Sequence, residues 1–273
     1  MFQDNHFFGH AHILARYCGM DDSRPPRIRG YLQHGWNTYC GAIPHYALLP
    51  GAWRFVWGEG PRRRARSLGR RAYVVGAPFN YLVSMEPEIE QKREGTLFFL
   101  FHGWEHAELV GDHKRLIAEI KETEPGPVTV SLFHTDYDRP ELRREYEEAG
   151  FRVICFGERG GWNHEDPNRN FLPRQLAELR RHKRVASNRL CTAVFYGISV
   201  GCEAAVYGDP MAVADEWPVM GGPERTERLW PELYGKDIDQ VAAREIARYE
   251  LGVEQLASPE ELRHVFEWSL ESA

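Results

Sequence analysis

A chain of 273 residues, 42% hydrophobic and 12% aromatic, has room for one large or two modest domains with a sizeable buried core. Its formal net charge of −6 argues against nucleic acid as a general electrostatic partner. No stretch reaches the length of a membrane span, and the N-terminus lacks the charged-then-apolar order of a secretory signal, so no integral membrane segment is expected and any membrane role is peripheral.

The five cysteines, Cys18, Cys40, Cys155, Cys191 and Cys202, form no CxxC pair, and the last three sit in apolar runs. Free thiols in a reducing compartment follow, and the expected location is cytoplasmic. Arginine is mixed with acids except in the run Arg62-Arg63-Arg64-Ala65-Arg66, which reads as a solvated helix face or as a surface that meets an anion.

In chain order, strands are predicted at 29–33, 53–57, 72–75, 96–101, 128–133, 152–156, 184–186 and 204–207. Most lack strict alternation, as strands buried on both faces of a parallel sheet do. Helices are predicted at about 61–69, 110–123, 139–149, 170–182 and 189–201, and this alternation gives a parallel α/β architecture. Asp138 is expected to cap the helix beginning near Pro140, and Gly150 to end it. The polar segment 86–95 reads as an interdomain linker, and Pro210, Pro218, Gly221, Gly222 and Pro223 mark a long loop. Two helices follow near 237–250 and 258–270, the second opening on Ser258-Pro259-Glu260-Glu261.

The segment from Val185 to Gly197 reads as strand, polar turn, helix. In open parallel sheets ligands bind beyond the carboxyl ends of strands, and a helix starting there presents free N–H groups to a phosphate. Ser187, Asn188 and Thr192 add small hydrogen-bonding groups, and Arg189 adds a guanidinium suited to bidentate phosphate contact. Helix capping by Ser187 or Asn188 explains the same residues without a ligand.

The succession Ser187-Asn188-Arg189, Thr192-Ala193, Tyr196-Gly197, Gly201 and Tyr207-Gly208-Asp209-Pro210 resembles the donor half of GT-B glycosyltransferases. It is similar in particular to bacterial polysaccharide-biosynthesis transferases of sialyltransferase-like and CDP-polyol phosphotransferase-like type. Val56-Trp57-Gly58-Glu59, Gly69, Val75-Gly76-Ala77-Pro78, Phe101-His102-Gly103-Trp104-Glu105, Asp136-Tyr137 and Phe156-Gly157-Glu158-Arg159 with Asn170-Phe171-Leu172 agree, so the likeness spans roughly residues 28–210.

The resemblance implies two Rossmann-like halves with parallel sheets. Residues 1–90 would form an abbreviated acceptor-side domain and 91–235 a nucleotide-binding domain. Residues 236–273 would be helices packing across both. A nucleotide-sugar donor (UDP-, CMP- or GDP-linked) would bind between the halves, its phosphates at Ser187, Asn188, Arg189 and Thr192 and its base or ribose near Glu158 and Arg159. A glycan or small-molecule acceptor would receive the sugar, without a required cofactor or metal.

Glycosyl transfer with inversion needs a base for the acceptor hydroxyl, and a histidine suits it. His34, after an early strand, is the leading candidate; Gly9-His10-Ala11-His12, on a strand or one helical turn, is its rival. His102, closing the strand before it, is placed to meet the leaving phosphate, with Glu105 and His106 nearby; His134 and Asp136 continue the polar rim. Other readings remain. His10 and His12 with His34 or His45 suit a zinc site, although HExxH is absent. A nucleotide-sugar epimerase and a non-catalytic nucleotide- or partner-binding scaffold use the same fold. No G-x-G-x-x-G or P-loop is present. Trp36, Trp53, Trp57, Trp104 and Trp162 suit sugar stacking or packing, and 160–166 reads as a lid.

Overall fold

The computed structural model describes residues 3–41, 51–88, 90–103, 109–160, 168–213 and 222–269. Two compact units divide the chain. Unit 1 is Met1–Ile89, Arg159–Pro173 and Ile246–Ala273; unit 2 is Glu90–Glu158 and Arg174–Glu245.

Unit 1 begins with a 3₁₀ segment, Gln3–Gly9, and α1 (His10–Tyr17). A three-stranded parallel sheet follows, β1 (Tyr31–Leu32), β2 (Arg54–Val56) and β3 (Ala72–Val74), paired in that order. Between β2 and β3 runs α2 (Glu59–Ser67), whose Pro61 and Ala65 face the core; α3 (Pro78–Met85) follows β3. Asn5 fastens the N-terminal segment beside β1, donating to the Gly30 carbonyl and accepting from the Leu32 N–H.

Unit 2 is built on five parallel strands: β4 (Thr96–Phe99), β6 (Val128–Ser131), β7 (Arg152–Ile154), β8 (Arg184–Ser187) and β9 (Glu203–Val206), in spatial order β7-β6-β4-β8-β9. The chain winds outward from β4 to β7, then returns beyond β4 to lay down β8 and β9, so the order reverses between β4 and β8. Every residue of β4 and β6 is buried, which explains their continuous apolar pattern. A separate antiparallel pair joins β5 (Leu109–Val110) to β10 (Ala212–Val213).

The helices are α4 (His113–Thr123), α5 (His134–Tyr137), α6 (Pro140–Glu148), α7 (Phe171–Arg181), α8 (Thr192–Ser199), α9 (Gly222–Leu229), α10 (Gln240–Glu250) and α11 (Pro259–Phe266). Phe98, Leu116, Ile120, Val130, Tyr146, Ala186 and Ala205 centre the core of unit 2. The architecture is α/β, with parallel sheets flanked by helices.

All eight expected strands are present. Local starts differ where short-range chemistry intervened. Asp138 does not cap α6: the short α5 precedes it, Asp138 closes that helix, and Arg139 occupies the cap of α6 with no side-chain hydrogen bond. The expected helix at 110–123 begins three residues late, because Leu109 and Val110 join β10 and the Asp112 carboxylate caps the helix by accepting from Arg115 N–H. Helix α9 lies inside the expected long loop, and α1 and α3 were not predicted as helices. At α11 the Ser258–Glu261 capping box forms as expected.

Candidate functional site

Parallel packing brings five strand ends of unit 2 to one edge, and the sheet reverses its order between β4 and β8, where ligands bind in folds of this kind. Phe101 and His102 follow β4; Asn188 and Arg189 follow β8. Asn188 joins three strand ends. Its Oδ1 accepts from the Phe101 N–H at 2.7 Å, and its Nδ2 donates to the Asp209 carbonyl at 2.7 Å beyond β9. The Arg189 guanidinium lies over the Phe101 ring, 3.8 Å from its centroid. Ser187 Oγ accepts from the Arg189 N–H at 3.2 Å.

These three residues are deeply placed: Ser187 is 0% exposed, Asn188 2% and Arg189 7%. Ser187 and Asn188 therefore serve the corner itself, and the half-buried pair Cys191–Thr192 forms its open part. The helix starts there and not at residue 189, because Cys191 is extended (φ −144°, ψ 169°). No oxygen caps α8. The Cys191 thiol, raised by burial, takes the partly compensating N–H contacts of Val194 and Ala193, and sulfur is a weak acceptor. The Val194 N–H also donates to the Cys191 carbonyl at 3.1 Å, and a helix start at a strand end is a position that favours an oxyanion.

Gly197 fixes α8 on the sheet. A Cβ there would stand 2.5 Å from Val185 Cγ1, so only hydrogen allows this approach of helix to strand. Tyr234, which the sequence reading missed, interacts with the Leu190 backbone and with Arg189; burial raises its phenol pKa.

His102 is exposed at the end of β4. Its ring stacks on Phe133 at 4.0 Å and 11°, and its Nδ1 donates to the Gly103 carbonyl at 2.6 Å. A carbonyl only accepts, so the proton of the neutral ring sits on Nδ1 and Nε2 is the basic nitrogen. Phe133 also meets the His134 ring at 4.4 Å. Asp136 is buried, and burial raises its pKa against the opposing pull of Arg139 and His134.

Glu158 is exposed beyond β7 in unit 2, whereas Arg159 belongs to unit 1, where its guanidinium lies 4.9 Å from the Phe7 ring centroid and its carbonyl accepts from Phe8 N–H. His34 is also in unit 1, after β1, with Nδ1 2.7 Å from the Tyr31 hydroxyl.

The rival histidines are structural in position. His12 Nδ1 donates to the Asp22 carbonyl at 2.6 Å, leaving Nε2 to accept from His6 Nδ1 at 3.2 Å. His10 is 1% exposed, and neither ring nitrogen has a hydrogen-bond partner among the described residues. Burial, with His34 adding to it, lowers its pKa to about 3, which removes it as a base near neutrality.

Among the described residues no group of three or more His, Cys, Asp or Glu is placed to hold a metal ion. No described helix is long and apolar enough to cross a membrane. Trp57 is fully buried, its indole N–H bonded to the Gln33 carbonyl, and Trp36 donates to Glu250. His45, Trp104, Glu105, His106, Trp162, Pro218, Gly221 and residues 161–166 of the expected lid at 160–166 lie outside the described residues.

No family model matches the sequence, and no curated protein matches it. Among solved structures the chain is similar to Os79 from O. sativa in complex with UDP and deoxynivalenol-3-glucoside, with a TM-score of 0.31 and 10% identity, over 79% of this chain and 49% of that one. The chain thus spans about half the length of that protein.

Proposed function

We propose that the chain is a glycosyltransferase that moves a sugar from a nucleotide-activated donor to a glycan or small-molecule acceptor, with the donor phosphates held where β8 gives way to α8. The observation that carries this reading is the start of α8. At the reversal point of the sheet, Cys191 and Thr192 open a helix with no side-chain hydrogen bond from its cap residue, beside Arg189 and one strand from His102.

In this reading the acceptor oxygen attacks the anomeric carbon, the bond from that carbon to the phosphate oxygen breaks, and a histidine takes the hydroxyl proton. The positive helix end and Arg189 bear the charge that develops on the leaving phosphate, and Thr192 adds a hydroxyl. His102 Nε2 is assigned the contact with the leaving group. The base is assigned to His34 on its place after an early strand and on imidazole chemistry, and Glu158 and Arg159 keep their assignment to base or ribose on the sequence resemblance.

The test is nucleotide release from UDP-, CMP- and GDP-linked sugars, with wild type and with His102→Ala, Thr192→Ala and His34→Ala. Release in wild type that falls in all three variants is the expected result. Wild-type protein that neither turns over nor binds any of these donors overturns the proposal. A second reading, a non-catalytic nucleotide-binding scaffold, draws on the internal contacts that occupy Asn188 and Ser187. It predicts nucleotide binding without release.

A further inference from the structure

The end of β1 is held more firmly than a strand of two residues requires. Gln33, 1% exposed, ties three segments together. Its N–H donates to the Phe55 carbonyl at 2.9 Å, its Oε1 accepts from the Trp57 N–H at 3.0 Å, and its Nε2 donates to the Gly35 carbonyl at 3.0 Å. The Trp57 indole N–H donates to the Gln33 carbonyl at 2.9 Å. His34 stands between Gln33 and Gly35, so its backbone is pinned on both sides.

The His34 ring is fixed as well. Its Nδ1 lies 2.7 Å from the hydroxyl of Tyr31, the first residue of β1, which is 2% exposed. The buried Phe7 ring meets it edge-on, with centroids 5.5 Å apart at 82°, and the Phe8 ring lies 6.4 Å away at 39°. With Nδ1 directed at Tyr31, a proton taken from a substrate arrives at Nε2. Among the described residues, the titratable and charged groups shown against this ring are Tyr31 from β1, His10 from α1, and Arg159, whose guanidinium lies across the Phe7 ring.

We propose that Tyr31 is the positioning residue of the base: its hydroxyl oxygen accepts from His34 Nδ1–H and holds the imidazolium that forms when Nε2 takes the acceptor's proton. This rests on the assignment of His34 under the proposed function. An imidazolium donates from both nitrogens and a neutral ring from one, so the charged form needs the Tyr31 oxygen whichever tautomer precedes it. In a half-buried ring between phenyl groups, an Nδ1–H left without that oxygen costs more than it does in water. Arg159 disfavours a second positive charge nearby, and the Tyr31 oxygen offsets this in part. The acceptor's O–H bond breaks, the Nε2–H bond forms, and the phenol keeps its hydrogen.

The experiment compares wild type with Tyr31→Phe in two measurements on the full chain: NMR titration of the His34 imidazole, and nucleotide release from UDP-, CMP- and GDP-linked sugars. In the variant the midpoint of the His34 titration falls by about one to two pH units, as loss of a charged hydrogen bond requires. The turnover number kcat falls about ten-fold or more while the donor KM is unchanged. In a His34→Ala background, Tyr31→Phe adds nothing to the loss. The thermal midpoint checks folding. Should Tyr31→Phe misfold, wild type alone decides, because the Nδ1 proton of protonated His34 exchanges slowly when Tyr31 holds it.

An unmoved titration midpoint in folded Tyr31→Phe, an equal kcat, an additive loss in the His34→Ala background, or a rapidly exchanging Nδ1 proton in wild type overturns the proposal alone. Wild type that releases no nucleotide overturns it together with the transferase reading on which it rests.

Discussion

The Arg189 guanidinium lies over the Phe101 ring at 3.8 Å, linking the ends of β8 and β4 where the five-stranded sheet reverses its order. A largely desolvated contact of this kind contributes about 2 kcal/mol. Arg189→Ala is expected to lower stability by about that amount in urea unfolding, and Arg189→Lys by less, since the cation remains but the planar stack is lost. Equal stability of all three proteins would show that the contact carries no weight.

Asn188 is the second fastening of that corner. Asn188→Ala leaves the Phe101 N–H and the Asp209 carbonyl without their partners, at a cost of about 1–3 kcal/mol for a buried group left unsatisfied. Amide exchange at Phe101 should accelerate in step. Unchanged protection of that amide would assign the tethering to the sheet ladder alone.

Gly197→Ala forces a methyl toward Val185 and is expected to destabilise by about 1–3 kcal/mol, as overpacking does. Adding Val185→Ala should return part of the loss, because the two side chains meet directly. Additive losses in thermal unfolding would place the strain elsewhere.

The strands were legible because parallel sheets bury both faces of a strand and leave runs such as Thr96–Phe99 and Val128–Ser131. The turn at Ser187–Thr192 was legible as strand, polar turn and helix, but its internal economy was not. That Asn188 binds Phe101 N–H depends on two strands 87 residues apart becoming neighbours, which no local pattern encodes. Tyr234 and Phe133 were missed for the same reason. Helix α1 escaped because Gly9 and two histidines hide its start, whereas Pro78 at the first position of α3 was a signal left unread.

His10 gives a pH prediction with a defined sign. Its folded pKa, about 3, lies below the ordinary histidine value, so the unfolded chain binds the extra proton first. Its contribution to stability is complete above roughly pH 6.5 and is lost at up to about 1.4 kcal/mol per pH unit as pH falls toward 3. His12, His113 and His182, also lowered by burial, act in the same direction. The difference between wild type and His10→Phe isolates the one residue. The variant should be at least as stable at pH 7, because two unpartnered polar atoms are removed, and its acid limb should be shallower. Parallel pH profiles would contradict this.

An anion held at the start of α8 is the central requirement of the proposed function, and calorimetric titration of UDP, CMP, CDP and GDP into wild type and Arg189→Ala tests it most directly. At least one nucleotide should bind wild type and lose about 1.5–3 kcal/mol of binding free energy in the variant, as removal of a charged hydrogen bond does. Binding of none of them to wild type, or equal affinity for the folded variant, contradicts it.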